Sequence, residues 1–129
     1  MPDIMVEVAG SWLGERREQF LQTVHRTVAG SFGTPEDEPV ARLVEHPVDT
    51  FLRPRNVGDR FTRIEICLFR GRSLEAKRNL YRALVEALAA HDVAPEDVKI
   101  VLVEVAPEDV GLRGGQAACD VDLGYVIQV

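Results

Sequence analysis

Two short stretches decide the fold: residues 34–38 are TPEDE and residues 94–98 are APEDV. Aligning their shared Pro-Glu-Asp places Pro35 opposite Pro95, an offset of 60 residues. Further upstream, the same offset aligns the apolar residues Phe20, Leu21, Val24 and Val28 with Leu80, Tyr81, Leu84 and Leu88. This spacing of i, i+1, i+4 and i+8 is typical of one buried helix face. We therefore predict two equivalent helices, from about Gly14 to Phe32 and from about Ser73 to His91.

The offset also aligns two strand patterns, in which apolar residues alternate at period two: Ile4, Val6 and Val8 against Ile64, Ile66 and Leu68. Each half ends in a further strand pattern, ARLVEH at 41–46 and IVLVEV at 100–105. Right-handed crossovers make the two strands of each unit parallel. We predict an α+β fold in which two tandem β-α-β units form a four-stranded sheet with both helices on one face. If a pseudo-twofold relates the units, the first and third strands run antiparallel and bring Pro2 and the end of the third strand to one edge.

The chain of 129 residues is predicted to be a single domain, residues 1–129. It divides into a pseudo-repeat of 1–46 and 62–105, a linker at 47–61 rich in Pro, Asp, Asn and Gly, and a C-terminal tail at 106–129. The tail ends in alternating apolar residues that predict an extra C-terminal strand: Leu123, Tyr125, Ile127 and Val129. One layer of helices leaves the far face of the sheet uncovered, which predicts a homo-oligomer assembled through the sheet.

Composition narrows the classes of function. The chain has 21 acidic and 15 basic residues, and the net charge of −6 argues against a nucleic-acid or membrane-surface partner. The sequence contains neither a signal-peptide pattern nor an apolar run of membrane-spanning length. Cys67 and Cys119 lie far apart, with no metal-ligand spacing, and are predicted to be buried free thiols. We expect a cytoplasmic protein without a metal or cofactor.

Pro2 stands directly ahead of the first strand pattern. The first position of a strand tolerates proline, so its presence there has a purely structural explanation. The alternative is that removal of Met1 leaves a free secondary amine, which is both a nucleophile and a base. The repeat places Thr62 at the counterpart position, so the fold itself does not require proline at this strand start.

Arg70 and Arg72 lie two apart in CLFRGRS, at the end of the third strand pattern. In an extended chain their side chains point the same way, and the positive end of the second helix follows them. Two guanidinium groups beside backbone N–H donors suit a small carboxylate; the alternative is a pair of surface arginines in a loop. Glu38, in PEDEP, is a candidate for orienting water or accepting a proton, against the alternative of a solvated turn residue.

Several motifs resemble the tautomerase superfamily (4-oxalocrotonate tautomerase-like), and most closely its malonate semialdehyde decarboxylase branch. They are MPDIMVEV at the start, PEDE followed by LVEHP, FRGRSLEAKRNLYRALVEAL and VAPEDVKIVLVEVAPEDVG. The resemblance implies that Pro2 is the catalytic amine and that Arg70 and Arg72 bind and polarise the substrate. It places Glu38 where that branch has an aspartate, and implies a trimer. It also places Val110 and Leu112 in the substrate pocket, where the branch usually has Trp and Phe.

These observations lead to three hypotheses. The first is a cofactor-independent keto-enol tautomerase acting on a small 2-oxo or enol carboxylate, with Pro2 moving the proton. The second is a decarboxylase or hydratase of small 3-oxo or unsaturated acids, for which Pro2 must be protonated at neutral pH. The third is a non-catalytic ferredoxin-like ligand-binding module, since a fold by itself does not define an activity.

Overall fold

The computed structural model describes residues 1–126 of the chain. Its main elements follow the predicted order of two β-α-β units and a tail. They are β1 (Asp3–Ala9), α1 (Arg17–Phe32), β2 (Ala41–His46), β3 (Thr62–Phe69), α2 (Leu74–Ala89), β4 (Val98–Val105), β5 (Gly111–Leu112) and β6 (Gln116–Ala117). A 3-10 turn, Gly14–Arg16, precedes α1, so the predicted start of the first helix coincides with this turn.

Strands β1 to β4 form one sheet in the order β2-β1-β3-β4. The outer pairs are parallel, β1 with β2 and β3 with β4, as right-handed crossovers require. The central pair is antiparallel, and Asp3 lies opposite Cys67. The predicted fold class is therefore confirmed, and the start of the chain lies beside the end of β3.

The core lies between the sheet and the two helices and repeats at the predicted offset. The residues that the offset aligns also share their degree of burial. Phe20, Val24 and Val28 of α1 are fully buried, as are Leu80, Leu84 and Leu88 of α2. Leu21 and its counterpart Tyr81 are both half-buried at the edge of the stripe. The apolar positions of β1 and β3 complete this core with at most 1% exposure: Ile4, Val6, Val8, Ile64, Ile66 and Leu68.

The helix ends follow from local chemistry. The α1 helix ends at Gly33, whose φ of +68° is in the left-handed region that glycine adopts without a Cβ penalty. Its N–H returns to the Ala29 carbonyl. The α2 helix begins after Ser73, whose hydroxyl oxygen accepts a hydrogen bond from the Ala76 N–H at 3.1 Å and so caps the helix.

The sheet face opposite the helices carries both charged and apolar side chains. At its centre Glu7 accepts hydrogen bonds from Arg63 at 3.1 Å and pairs with His46 at 2.9 Å, while Arg63 also contacts Glu65 at 3.1 Å. On β4 this face presents Val103, which is 40% exposed. No helix of the described chain covers this face, so it is the available surface for association.

The tail differs from the prediction in one respect. Its β structure is the short antiparallel hairpin of β5 and β6, and residues 121–126 form no strand. Ile127 and Val129, which belong to the predicted extra strand, lie outside the described residues. Cys119 was predicted to be buried but is exposed, because the short 3-10 turn Ala118–Asp120 carries it on the surface after Ala118. No helix within residues 1–126 is long and apolar enough to cross a membrane.

Candidate active site

Pro2 is buried at the end of the sheet where the central strand β1 begins and its neighbour β3 ends. Together with Met1, Phe32, Leu68, Phe69, Arg72 and Tyr125 it lines a small inner cavity, which has no room for a water molecule while Met1 is present. Leu68 and Phe69 are the last residues of β3, and Phe32 is the last residue of α1. The antiparallel central pair and the end of one helix thus enclose the residue that the sequence marked as a potential amine.

Arg72 is the charged residue of this inner cavity, and only 7% of it is exposed. Its Nη1 donates a hydrogen bond to the Phe69 carbonyl at 3.2 Å, and its Cζ lies 4.7 Å from the centre of the Phe32 ring. Nε and Nη2 are also buried, but neither has a hydrogen-bond partner among residues 1–126. A buried N–H group without a partner costs about 1–3 kcal/mol, so this guanidinium is prepared to bind an acceptor.

Burial lowers the pKa of Arg72, while Tyr125 and Glu104 oppose this effect. Arginine remains charged at any physiological pH even when its pKa is lowered. The inner cavity therefore holds a permanent, poorly solvated cation beside Pro2.

Arg70 does not accompany Arg72 into the inner cavity. Its side chain is exposed, while its backbone N–H donates to the Val105 carbonyl at 3.0 Å. Gly71, between the two arginines, has a φ of +131°, which interrupts the extended conformation assumed for the pair. The expectation that both side chains point the same way is therefore wrong. Of the two arginines, Arg72 lines the cavity with Pro2 and Arg70 does not.

A second, outer cavity of about 280 Å³ lies on the other side of Met1. Its lining contains two of the predicted site residues, Glu38 and Leu112, and it also includes Met1, Arg113, Leu123 and Tyr125. Glu38 is exposed in the turn that precedes β2. Met1 and Tyr125 line both cavities, so they separate Pro2 and Arg72 from Glu38 and Leu112.

Val110 was predicted to line the pocket together with Leu112, but it lines neither of these cavities. Its carbonyl instead accepts a hydrogen bond from the Ala118 N–H at 2.8 Å, at the base of the β5-β6 hairpin. Val110 precedes β5 at the base of the hairpin, whereas Leu112 pairs with Gln116 next to the hairpin turn.

Sequence reasoning missed Phe32, Arg113 and Tyr125 in the cavity linings. The repeat offered one indication for Phe32. Its counterpart at offset 60 is the acidic Asp92, and a position where the two halves differ in this way is a candidate for a site present in one half. Arg113 and Tyr125 belong to the tail, which has no counterpart in the repeat. The Tyr125 hydroxyl donates a hydrogen bond to the Met1 carbonyl at 3.1 Å.

The inner cavity has no room for a ligand while Met1 is present, but its buried guanidinium is suited to a small anion if that space opens. Apolar walls from Phe32, Leu68 and Phe69 exclude water, and the Arg72 guanidinium supplies the charge. Within residues 1–126 no group of three or more His, Cys, Asp or Glu residues is placed to hold a metal ion.

Solved structures with similar folds include several enzymes. The FG41 malonate semialdehyde decarboxylase inhibited by 3-bromopropiolate superposes with a TM-score of 0.82 at 24% identity, over 90% of this chain and 92% of that one. A fused 4-OT symmetric trimer gives 0.80 at 25% identity, over 92% and 97%. Pt0534 inactivated by 2-oxo-3-pentynoate gives 0.83 at 20% identity, over 94% and 100%. Among curated proteins, none matches the chain.

A family model described as tautomerase enzyme matches residues 38–113, which is more than half of the chain. The matched segment runs from Glu38 through the second β-α-β unit to Arg113. It therefore includes both Arg70 and Arg72. The resemblance of the sequence motifs to the tautomerase superfamily is thereby confirmed, while the decarboxylase and fused 4-OT structures are about equally similar to the chain. The chain belongs to the tautomerase enzyme family.

Proposed function

We propose that the chain is a cofactor-independent keto-enol tautomerase of small 2-oxo or enol carboxylates, in which the amine of Pro2 moves the proton after Met1 has been removed. The observation that carries the proposal is the buried Arg72 guanidinium, whose Nε and Nη2 lack partners among residues 1–126 and which lines a cavity with Pro2. Guanidinium N–H groups match a carboxylate in geometry and charge. A carboxylate bound there would lie beside the amine.

Local charge favours the neutral, basic form of that amine. Burial in an apolar cavity disfavours an ammonium ion, and the Arg72 cation disfavours a second positive charge. Both effects would favour the uncharged amine in the processed chain. At neutral pH the amine would then be free to accept a proton.

The proposed reaction needs only proton movement. The Pro2 nitrogen accepts the hydroxyl proton of the enol, and the oxygen electron pair forms the carbonyl. The carbon-carbon π electrons then take a proton from the Pro2 ammonium, so the amine is regenerated. Arg72 holds the carboxylate and stabilises negative charge on the adjacent oxygen. Arg70, exposed at the end of β3, is assigned to the rim of the site, and Leu112 is assigned to its outer wall.

A decarboxylase or hydratase acting on small 3-oxo or unsaturated acids is the second candidate. Glu38 favours it, because this carboxylate lines the cavity on the other side of Met1 and would face the site once Met1 has gone. Such a carboxylate can activate water or hold the Pro2 amine in its cationic form. This candidate requires a Pro2 pKa well above neutral, whereas the tautomerase requires one below it.

We also propose that the chain assembles as a homotrimer through the open sheet face. The fused 4-OT relative is described as a symmetric trimer, and the face carries both the Glu7 ion-pair network and the exposed Val103. Burial of this face would remove apolar β4 side chains from water.

Replacing Pro2 by Ala should lower the rate of phenylpyruvate enol-to-keto conversion by on the order of 10²–10⁴-fold, the usual contribution of a positioned acid-base group. Alanine keeps a terminal amine but loses the fixed ring that orients it. Pro54→Ala, in the exposed linker, is the matched control and should retain the wild-type rate. Mass spectrometry establishes that Met1 is absent from each protein, and equal rates for wild type and Pro2→Ala would contradict the proposal.

Titration of the Pro2 nitrogen by NMR separates the two candidate reactions. A tautomerase with a basic amine should show a pKa below neutral, and its kcat/KM should fall as the pH drops through that value and the amine becomes protonated. A pKa well above neutral, with kcat/KM falling as the pH rises through it, would instead support the decarboxylase or hydratase.

Arg72→Met should separate stability from activity. The free energy of unfolding should stay unchanged or rise by about 1–3 kcal/mol, because the unpartnered buried N–H groups are removed while the volume is kept. Losing a buried charge partner costs about 2–5 kcal/mol, so kcat/KM should fall by about 30-fold or more. Denaturant titration and steady-state kinetics measure both, with Arg78→Met on the exposed face of α2 as the control. A large loss of stability with normal kinetics would make Arg72 merely structural.

Sedimentation equilibrium tests the assembly. The processed chain should sediment with three times its monomer mass. Val103→Glu should shift it toward monomer, because this substitution places a charge on the open face. The same substitution at Leu52, which is fully exposed in the linker, serves as the comparison. A monomer at micromolar concentration would reject the trimer without affecting the assignment of Pro2.

A further inference from the structure

Tyr125 occupies the boundary between the two cavities. It lines the inner cavity with Pro2 and Arg72, and the outer cavity with Glu38 and Leu112. Its side chain is partly buried, and its hydroxyl donates a hydrogen bond to the Met1 carbonyl oxygen at 3.1 Å. The hydroxyl therefore lies within hydrogen-bond distance of the group that is attached directly to the Pro2 nitrogen.

Removal of Met1 takes away the hydrogen-bond acceptor of this hydroxyl. The Met1 carbonyl carbon is bonded to the Pro2 nitrogen, so the acceptor of the Tyr125 hydrogen bond leaves together with Met1. A partly buried hydroxyl then faces the new amine across the space that Met1 vacates, without its former partner. Because Met1 also lines both cavities, its loss joins them into one cleft.

Burial keeps the Tyr125 phenol in its protonated form. Burial raises the pKa of the phenol, the Arg72 cation lowers it, and the Glu38 carboxylate raises it. The net direction is upward from an ordinary value of about 10, so at neutral pH the group is a hydrogen-bond donor and not a base. Proton abstraction is left to Pro2.

We propose that Tyr125 is a catalytic residue of the processed chain, whose hydroxyl, uncapped by the loss of Met1, donates a hydrogen bond to the 2-oxygen of the substrate. This inference rests on the proposed tautomerase function. Pro2 takes the enol hydroxyl proton and returns a proton to carbon, while Tyr125 keeps its own proton throughout. The hydrogen bond strengthens as negative charge develops on the oxygen, which lowers the barrier.

The three groups then divide the substrate between them. The Arg72 guanidinium binds the carboxylate, the Tyr125 hydroxyl binds the adjacent oxygen, and the Pro2 amine faces the carbon that gains or loses a proton. Arg72 and Tyr125 line the same cavity, as two donors serving neighbouring oxygens of one ligand must.

The chain contains two tyrosines, and the second provides a matched control. Tyr81 lies half-buried on α2, at the repeat position of Leu21 and away from both cavities. Tyr125→Phe should lower kcat for phenylpyruvate ketonisation by about 100-fold, the usual effect of removing one donor to a developing oxyanion, and should change KM much less. Tyr81→Phe should leave both parameters unchanged.

Covalent labelling separates failure of this inference from failure of the proposed function. Pro2 of the Tyr125→Phe variant should still react with 3-bromopropiolate, because the amine and Arg72 remain. A wild-type kcat in Tyr125→Phe, together with an inactive Pro2→Ala variant, would overturn the role of Tyr125 and leave the tautomerase intact. An inactive wild-type protein whose Pro2 is not labelled would overturn both. Loss of labelling in Tyr125→Phe alone would show that Tyr125 shapes the cavity and does not act on the substrate oxygen.

Discussion

The antiparallel pairing of β1 with β3 is the constraint on which both the symmetry of the fold and the candidate site depend. In this pairing Met5 lies opposite Glu65, and the same two residues are counterparts at the offset of 60. A twofold relating the two units must therefore pass through this pair. A slip of one residue would turn every core side chain of a strand toward the open face, so the buried apolar alternation fixes the register. The same register brings Pro2 to the end of β3.

The twofold gives the sheet two ends with equivalent backbones, and their side chains differ. At the end opposite Pro2, the fully buried Thr62 takes its place and bonds the Arg60 carbonyl at 3.0 Å. Trp12 takes the place of Arg72, and the Arg60 guanidinium lies 5.3 Å from its ring. That end has a cation near an aromatic ring but no chain terminus. Duplication can copy the strands and helices, whereas a terminal amine occurs once per chain, so only one end can carry the proposed chemistry.

Sequence periodicity predicted the helices, the sheet and the edge at which Pro2 lies, because burial of a repeated apolar pattern determines each of them. The side-chain directions of Arg70 and Arg72 were harder to predict. They depend on the positive φ of Gly71, which is set by the connection from β3 to α2 and has no periodic sequence pattern. The structure of the C-terminal tail was the hardest to predict. The positions of Val110 and Tyr125 depend on a short hairpin and on contacts with Met1, which are long-range in sequence and have no counterpart in the repeat.

Under the proposed function, the energetics of Arg72 explain how an acidic protein could still select an anion. With a net charge of −6, the long-range field opposes an approaching carboxylate, but at physiological salt exposed charges are screened beyond about 8 Å. Inside the cavity the buried guanidinium has lost water and has gained one carbonyl and the Phe32 ring in exchange, which leaves two of its nitrogens unpartnered within residues 1–126. Burying these two nitrogens without partners has already cost the folded chain free energy. A carboxylate that accepts hydrogen bonds from them would recover part of that cost. If Arg72 binds the substrate as proposed, selectivity resides in its local deficit of hydrogen bonds, and the arrival of the ligand should depend little on electrostatic steering.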